Sequence, residues 1–187
     1  MQMRERSPDS RIDDETLMDR FKAGEEKAFV ELYERYNRRI YAYCARMVSS
    51  KDRADDLFQE VFIRVARKRN RFHGGSFSSW LFAIARNLCL NALRDGVSHV
   101  AIEDVAETLQ TPPDEAEYDP SLELLKEAIG RLPADLREPL VLRVYNGLSY
   151  QEIADLTGIK LATVKVRIFR AKQRLHELLA PYFLDKV

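Results

Sequence analysis

Apolar residues recur at intervals of three and four along most of the chain, and no strand-like alternation runs for more than a few residues. The pattern predicts an all-helical protein. Asp14 to Ala23 reads as a short helix that stops at Gly24, because glycine reaches the left-handed conformation of a C′ position without strain. From Glu25 to about Val48, the residues Phe29, Leu32, Tyr33, Tyr36, Ile40, Tyr43, Cys44 and Met47 make a wide, aromatic-rich stripe, the expected core face of a long helix. Lys51 to Arg69 reads as a third helix carrying Leu57, Val61, Phe62 and Val65. A loop with Gly74 and Gly75 follows from Asn70 to Ser79, and a fourth helix runs from about Ser79 to Asp95.

The periodicity then lapses. Gly96 to Asp119 contains Pro112, Pro113 and seven acidic residues, and reads as a flexible acidic linker. It divides the chain into a flexible N-terminus (1–13), a first helical domain (14–95) and a second (120–187). Asp119 and Pro120 suit the N-cap and first position of a helix whose apolar face is Leu122, Leu125, Ile129 and Leu132. Pro133 opens another helix, to about Tyr145, in which Pro139 removes a backbone donor and is expected to bend the axis. Ser149 and Glu152 fit a capping box. Ile153, Ala154 and Leu156 then face inward, Gly158 permits a sharp turn, and Ile159 and Val164 flank it, which is helix-turn-helix spacing.

Composition narrows the class. A chain of 187 residues with 45% hydrophobic and 32% charged residues can bury a core. It has no apolar run near the roughly 18 residues of a membrane span. Met1 to Ile12 is charged and has no apolar stretch of the secretory kind, so a cytoplasmic location is expected. Cys44 and Cys89 lie within apolar helical patterns with no C-x-x-C pair and no nearby histidine cluster, as expected of buried reduced thiols; no metal or cofactor is expected. The formal net charge of zero hides an uneven distribution: residues 1–95 carry 19 basic and 15 acidic side chains, 96–135 carry 2 and 10, and 136–187 carry 9 and 5. Two basic segments separated by an acidic one suggest two polyanion-binding modules and a connector that avoids the polyanion.

Three groups of residues are candidates for function. The second helix of the helix-turn-helix carries a one-sided charge. Lys160, Leu161, Ala162 and Thr163 at its start would approach base edges, Lys165, Arg167 and Arg170 would meet bases or phosphates, and Ser149 caps the preceding helix. Leu161, Val164, Ile168 and Leu175 also suit plain packing. On the third helix, Asp52, Asp55, Asp56, Gln59 and Glu60 fall along one side, either a protein-docking stripe or simply a solvated face. After them come Arg64, Arg67, Lys68, Arg69 and Arg71, and a loop with Phe72, His73, Ser76, Phe77 and Trp80. Basic residues interleaved with aromatics suit single-stranded nucleic acid, where bases stack on rings and the backbone meets cations. Trp80, Ile84, Asn87 and Asn91 share one helical face, on which an asparagine could read a base.

The segments DRADDLFQEVFIRV, FSSWLFAIARNLCLNALR, LPADLREPLVLRVYNGLSYQEIADLTG and ATVKVRIFRAKQRL, in this order and spacing, resemble a bacterial extracytoplasmic-function (ECF) sigma factor over roughly residues 14–182. The resemblance implies that Asp52, Asp55, Asp56, Gln59 and Glu60 bind the β′ clamp helices of core RNA polymerase. It implies that Arg64, Arg67, Lys68, Arg71, the loop from Phe72 to Ser79, Trp80 and Asn87 capture a flipped base of the minus-10 element and help melt promoter DNA. The second domain would read the minus-35 element as duplex and meet the β flap, and the acidic linker would thread the RNA exit path. Such proteins are commonly held by an anti-sigma factor, and a monomer is expected when free. Lys160, Ala162 and Val166 depart from the family's usual Ser or Pro, Gly, and Ser, and His73 and Gly74 leave the captured base open, so promoter preference is expected to be unusual.

An autonomous operator-binding regulator would show the same helix-turn-helix, but it leaves the aromatic loop and the acidic stripe without a task. Catalysis has little support, because His73, His99 and His176 lie in dissimilar contexts and no P-loop, nucleophile elbow or metal-ligand spacing is present.

Overall fold

A computed structural model describes residues 12–48, 50–97 and 120–184, and all regular structure among them is helical. The expected acidic linker lies, from 98 to 119, outside the described residues. The first half holds α1 (Asp14–Lys22), α2 (Glu26–Met47), α3 (Lys51–Arg67), a 3-10 turn (Arg69–Arg71) and α4 (Phe77–Val97). The second holds α5 (Pro120–Gly130), α6 (Ala134–Val144), α7 (Tyr150–Thr157) and α8 (Leu161–Leu184).

Several helices begin where the chain supplies an acceptor for orphan amides. The Asp13 carboxylate accepts from the Thr16 amide at 2.7 Å and caps α1, and Ser50 does the same for α3 through the Arg53 amide. α4 begins two residues earlier than its pattern predicts. The reason is a long-range cap: Glu15 of α1 accepts from the Phe77 amide at 2.9 Å, while Ser76 Oγ accepts from the Ser79 amide at 3.2 Å. The third helix is shorter than predicted, because the chain tightens into the 3-10 turn after Arg67.

Leu17, Met18 and Phe21 of α1, Leu32, Tyr36, Ile40 and Tyr43 of α2, Val61 and Val65 of α3, and Leu81, Phe82 and Ala85 of α4 close one core. In the second half Ile129 and Leu132, Leu140 to Leu142, Ile153, and Val164, Ile168 and Ala171 of α8 meet around α6. Pro139 lies inside α6 and is buried. Arg137 ties this half together: Nη2 donates to the Gly130 carbonyl and, at 2.8 Å, to that of Leu132, while Nη1 reaches across to the Met47 carbonyl of the first half at 3.1 Å.

The halves are docked, with α5 and α6 against α2 and α7 against α4. Polar groups face each other across this junction. Arg86 Nε of α4 lies 2.8 Å from Glu138 Oε1 of α6, and the Tyr43 hydroxyl of α2 is 3.4 Å from the same oxygen. Asn146 Nδ2 donates to the Arg39 carbonyl at 3.0 Å, and the Arg39 guanidinium donates back to the Asn146 carbonyl. Arg46 lies over the Tyr145 ring, 3.6 Å from its centroid.

The capping box at α7 is complete: Ser149 Oγ accepts from the Glu152 amide at 3.1 Å and Glu152 Oε2 accepts from the Ser149 amide at 2.7 Å. Hydrogen bonds from Ser149 hold the Glu152 carboxyl below its ordinary value. A depressed carboxyl adds stability that is present above its unfolded value and lost as pH falls through the folded one. Ser149→Ala should therefore cost about 1 kcal/mol near neutral pH. Glu152→Gln should flatten the acid limb of stability relative to the parent; urea midpoints measured from neutral pH down to the carboxylate range check both, and parallel acid limbs would refute the pH effect.

Candidate nucleic-acid interface

The loop between α3 and α4 is anchored by its aromatics. Phe72 and Phe77, expected from the sequence to meet DNA, are only 3% and 1% exposed. Their rings pack edge to face with centroids 6.1 Å apart, and Phe77 also meets Tyr36 of α2 at 5.5 Å. Lys22 Nζ donates to the Phe72 carbonyl at 3.0 Å and lies over its ring. These two residues are hooks that pin the loop's ends, because a ring without polar atoms gains more in the core than in a hydrated loop. Trp80 is the ring left half-buried at the rim, with centroids 5.5 Å from Phe72 and 6.1 Å from Phe77.

Between the hooks, His73, Gly74, Gly75 and Ser76 are exposed, and both glycines have positive φ, 95° and 79°, which a side chain would oppose. Arg67, Lys68 and Arg71 are exposed beside them, Arg69 lies over the Phe21 ring, and Arg64 is held by Glu60 at 2.6 Å. Asn87 is exposed two turns beyond Trp80 on the same face of α4. A polar loop rim and a half-open indole thus stand at the start of α4 next to exposed cations of the preceding turn, with the asparagine about 10 Å further along the same helical face. That chemistry can stack and hydrogen-bond an unpaired base.

Asp52, Asp56 and Gln59 are exposed on α3, with Asp55 and Glu60 half-buried. Burial and the Asp55 carboxylate raise the Tyr41 phenol above its ordinary value. Exposed apolar side chains lie on these two packed helices: Val30 of α2 and Ile63 of α3, which the sequence pattern did not single out, and Tyr33 of α2, which the stripe assigned to the core but which stands at its edge and is exposed. Ile63 follows Gln59 by one turn, and its apolar character out of phase with the core stripe is the signal that could have found it.

In the second half, Gly158 closes α7 at φ +72°, and α8 follows after Lys160. Lys160, Ala162, Thr163, Lys165 and Arg170 are exposed, as is Ser149. Leu161 is half-buried, while Val164 and Ile168 form the packing seam. Arg167 is half-buried and turned toward α6, its Nε 3.9 Å from the Asp135 carboxylate, so it stands at the edge of the basic face. Val166 and Phe169 are exposed among the basic residues, Phe169 by 62%.

Among the described residues, no group of three or more His, Cys, Asp or Glu side chains could hold a metal ion, and no helix is long and apolar enough to cross a membrane. Cys44 and Cys89 are buried and free, with their sulfurs 3.9 Å apart, and the neighbouring thiol together with burial pushes the Cys89 thiol far up.

Residues 32–98 match the Sigma-70 region 2 family and residues 122–175 the Sigma-70, region 4 family. RNA polymerase sigma factor CarQ of Myxococcus xanthus is 36% identical over 173 residues, which span 90% of this chain and 98% of CarQ. The ECF RNA polymerase sigma-E factor of Escherichia coli K12 is 33% identical over 184 residues, 91% of this chain and 96% of that protein. Among solved structures, the sigma factor RpoE of Bartonella quintana, in complex with the anti-sigma factor NepR, is 31% identical with a TM-score of 0.70, covering 82% of this chain and 98% of that one. A helix-turn-helix regulator acting alone is not favoured, since region 2 is matched as well as region 4. With both regions matched in order and relatives aligned along nearly their whole length, the chain belongs to the ECF sigma factors, the alternative sigma factors of transcription initiation.

Proposed function

We propose that this chain works as two DNA-reading modules on one polymerase, residues 14–95 at the minus-10 element and 120–187 at the minus-35 element. The observation that carries the reading is the presence, in separate helical halves, of two different kinds of nucleic-acid surface. One is a glycine loop with a half-open tryptophan, suited to an unpaired base. The other is a capped helix-turn-helix with exposed cations, suited to a duplex groove.

In this reading Trp80 stacks the captured base and Asn87 reads its edge. His73 and Ser76 line the loop, Phe72 and Phe77 hold it in shape, and Arg64, Arg67, Lys68 and Arg71 follow the strand's phosphates. Flipping a base costs a few kcal/mol, which stacking and edge hydrogen bonds offset. Lys160, Leu161, Ala162 and Thr163 meet base edges in the major groove, Lys165 and Arg170 meet phosphates or bases, and Arg167 joins them on release from Asp135. The start of α7 at Ser149 approaches the backbone.

Asp52, Asp55, Asp56, Gln59 and Glu60 dock on the β′ clamp helices of core RNA polymerase, with Val30, Tyr33 and Ile63 as the apolar border of that contact, and the second module meets the β flap. The polymerase performs the chemistry, and this chain, needing no cofactor, supplies promoter choice and melting. Its place of action is the cytoplasm and its free form a monomer. An anti-sigma factor is its regulator, the class of partner with which the RpoE relative was solved.

The test is transcription in vitro from a library of randomised promoters, with bacterial core polymerase alone and with this protein added. Initiation at a shared bipartite motif only in its presence is the expected result. Failure to bind core, together with tight duplex binding by the free chain, would overturn the reading.

A further inference from the structure

We propose that α1 is a brace for the glycine loop, with Glu15 and Lys22 as positioning residues that hold the loop's two ends in the shape that captures a base. The inference rests on the base-capture reading above and deepens it. Neither residue touches DNA in that reading, and each acts through the loop.

Phe72 and Phe77 bound the exposed stretch from His73 to Ser76, and one backbone group at each end is taken by a side chain of the same helix. Lys22 Nζ donates to the Phe72 carbonyl at 3.0 Å, and Glu15 accepts from the Phe77 amide at 2.9 Å. Both hydrogen bonds have a charged partner and are part-buried, which places them among the stronger ones. Asp19, 2.8 Å from Lys22 Nζ, steadies the ammonium. Glu15 and Lys22 are seven residues apart, so they lie on one face of α1 with about 10 Å of helix between them. The four residues between the gripped ends could extend to about 14 Å. Held at both ends by one helix, they arch instead, and Gly74 and Gly75 supply the positive φ that the arch requires.

The brace is itself fixed. Asp13 caps α1, and Asp14 accepts from Arg35 Nη1 at 2.6 Å and from the Tyr36 hydroxyl, while Arg35 also donates to the Ile12 carbonyl at 2.7 Å. At the other end Phe21 stacks on Phe29 of α2 with centroids 4.7 Å apart, and Arg69 of the 3-10 turn lies over the Phe21 ring. α1 thus joins α2 to both ends of the loop. It also precedes residues 32–98, which match region 2, so the support of the loop in this chain comes from outside the matched stretch. A loop set in shape before the strand arrives loses less binding free energy to ordering, and apparent affinity follows the fraction of molecules in which it is set.

The experiment compares, in the full-length chain, Glu15→Ala and Lys22→Met with Glu15→Gln and Lys22→Arg, which keep the acceptor and the donor. Amide hydrogen exchange over residues 72–79 is read in the free protein, and open-complex formation is read with core polymerase at a promoter selected from the randomised library. Glu15→Ala and Lys22→Met should each speed loop exchange by at least about fivefold and lower open-complex formation by about tenfold, with core binding and exchange in α7 and α8 unchanged. Glu15→Gln and Lys22→Arg should stay within about threefold of the parent in both. Should Glu15→Ala unfold the first half, Lys22→Met tests the brace from the other end, because its apolar stem keeps the packing on Phe72. Parent-like loop exchange would overturn the brace. So would faster exchange with unchanged opening, if the Trp80→Ala, Asn87→Ala double variant still fails to open the promoter. Unchanged opening by that double variant as well would sink the base-capture reading instead, and faster loop exchange would still uphold the grip of α1 on the loop.

Discussion

Replacing Trp80 and Asn87 together by alanine should reduce open-complex formation by about 100-fold while leaving core-polymerase binding near that of the parent. The magnitude follows from the two interactions that the substitutions remove. Stacking of one base on an aromatic ring is worth about 1–3 kcal/mol, a hydrogen bond to its edge adds about 1 kcal/mol, and each 1.4 kcal/mol is roughly tenfold. The effect should be selective, because the acidic stripe assigned to polymerase lies on a different helix, α3, and includes neither residue. Asn87→Ala alone separates recognition from packing, since Asn87 is exposed whereas Trp80 also supports Phe72 and Phe77. Permanganate reactivity of unpaired thymines at a promoter, with core binding measured in parallel, reads both quantities. Unchanged melting by the double variant would remove the base-capture assignment.

Arg137→Ala should be the most destabilising change among the polar residues, lowering stability by about 3 kcal/mol. This guanidinium donates to three backbone carbonyls, at Gly130, Leu132 and Met47, from a half-buried position. Hydrogen bonds from a charged donor contribute about 1.5–3 kcal/mol each, and the loss falls below their sum because water can enter the truncated site. A melting temperature lower by roughly 10 °C is expected for a chain of this size. Arg137→Lys should recover only part, since an ammonium cannot reproduce the planar fork that reaches several carbonyls at once. A thermal melt with no shift for Arg137→Ala would show that these carbonyls are satisfied without it.

The helices were largely legible from the 3.6-residue period, because each half buries one stripe of every helix. The capping box at Ser149 and Glu152 and the turn at Gly158 were legible for a local reason: every partner lies within a few residues. The start of α4 was not, since its cap comes from Glu15, 62 residues upstream in sequence. Phe72 and Phe77 misled in an instructive way. Aromatics among cations satisfy the composition of a stacking surface, but composition does not say which ring faces inward. Arg167 could have been placed better, because it lies three residues after Val164 and four before Ala171, which puts it beside the packing seam. The pairing of Arg86 with Glu138 had no local signal, since it exists only when two separate helices meet.

Trp80 is the sole tryptophan of the chain, which otherwise has eight tyrosines. Excitation at the red edge, where tyrosine does not absorb, therefore illuminates a single site, a half-buried indole between Phe72 and Phe77 at the rim of the glycine loop. The molecule carries its own optical probe, unlabelled, at the place where strand separation is expected to begin. Quenching by a stacked base would follow the onset of melting in real time, while the helix-turn-helix and its duplex remained dark.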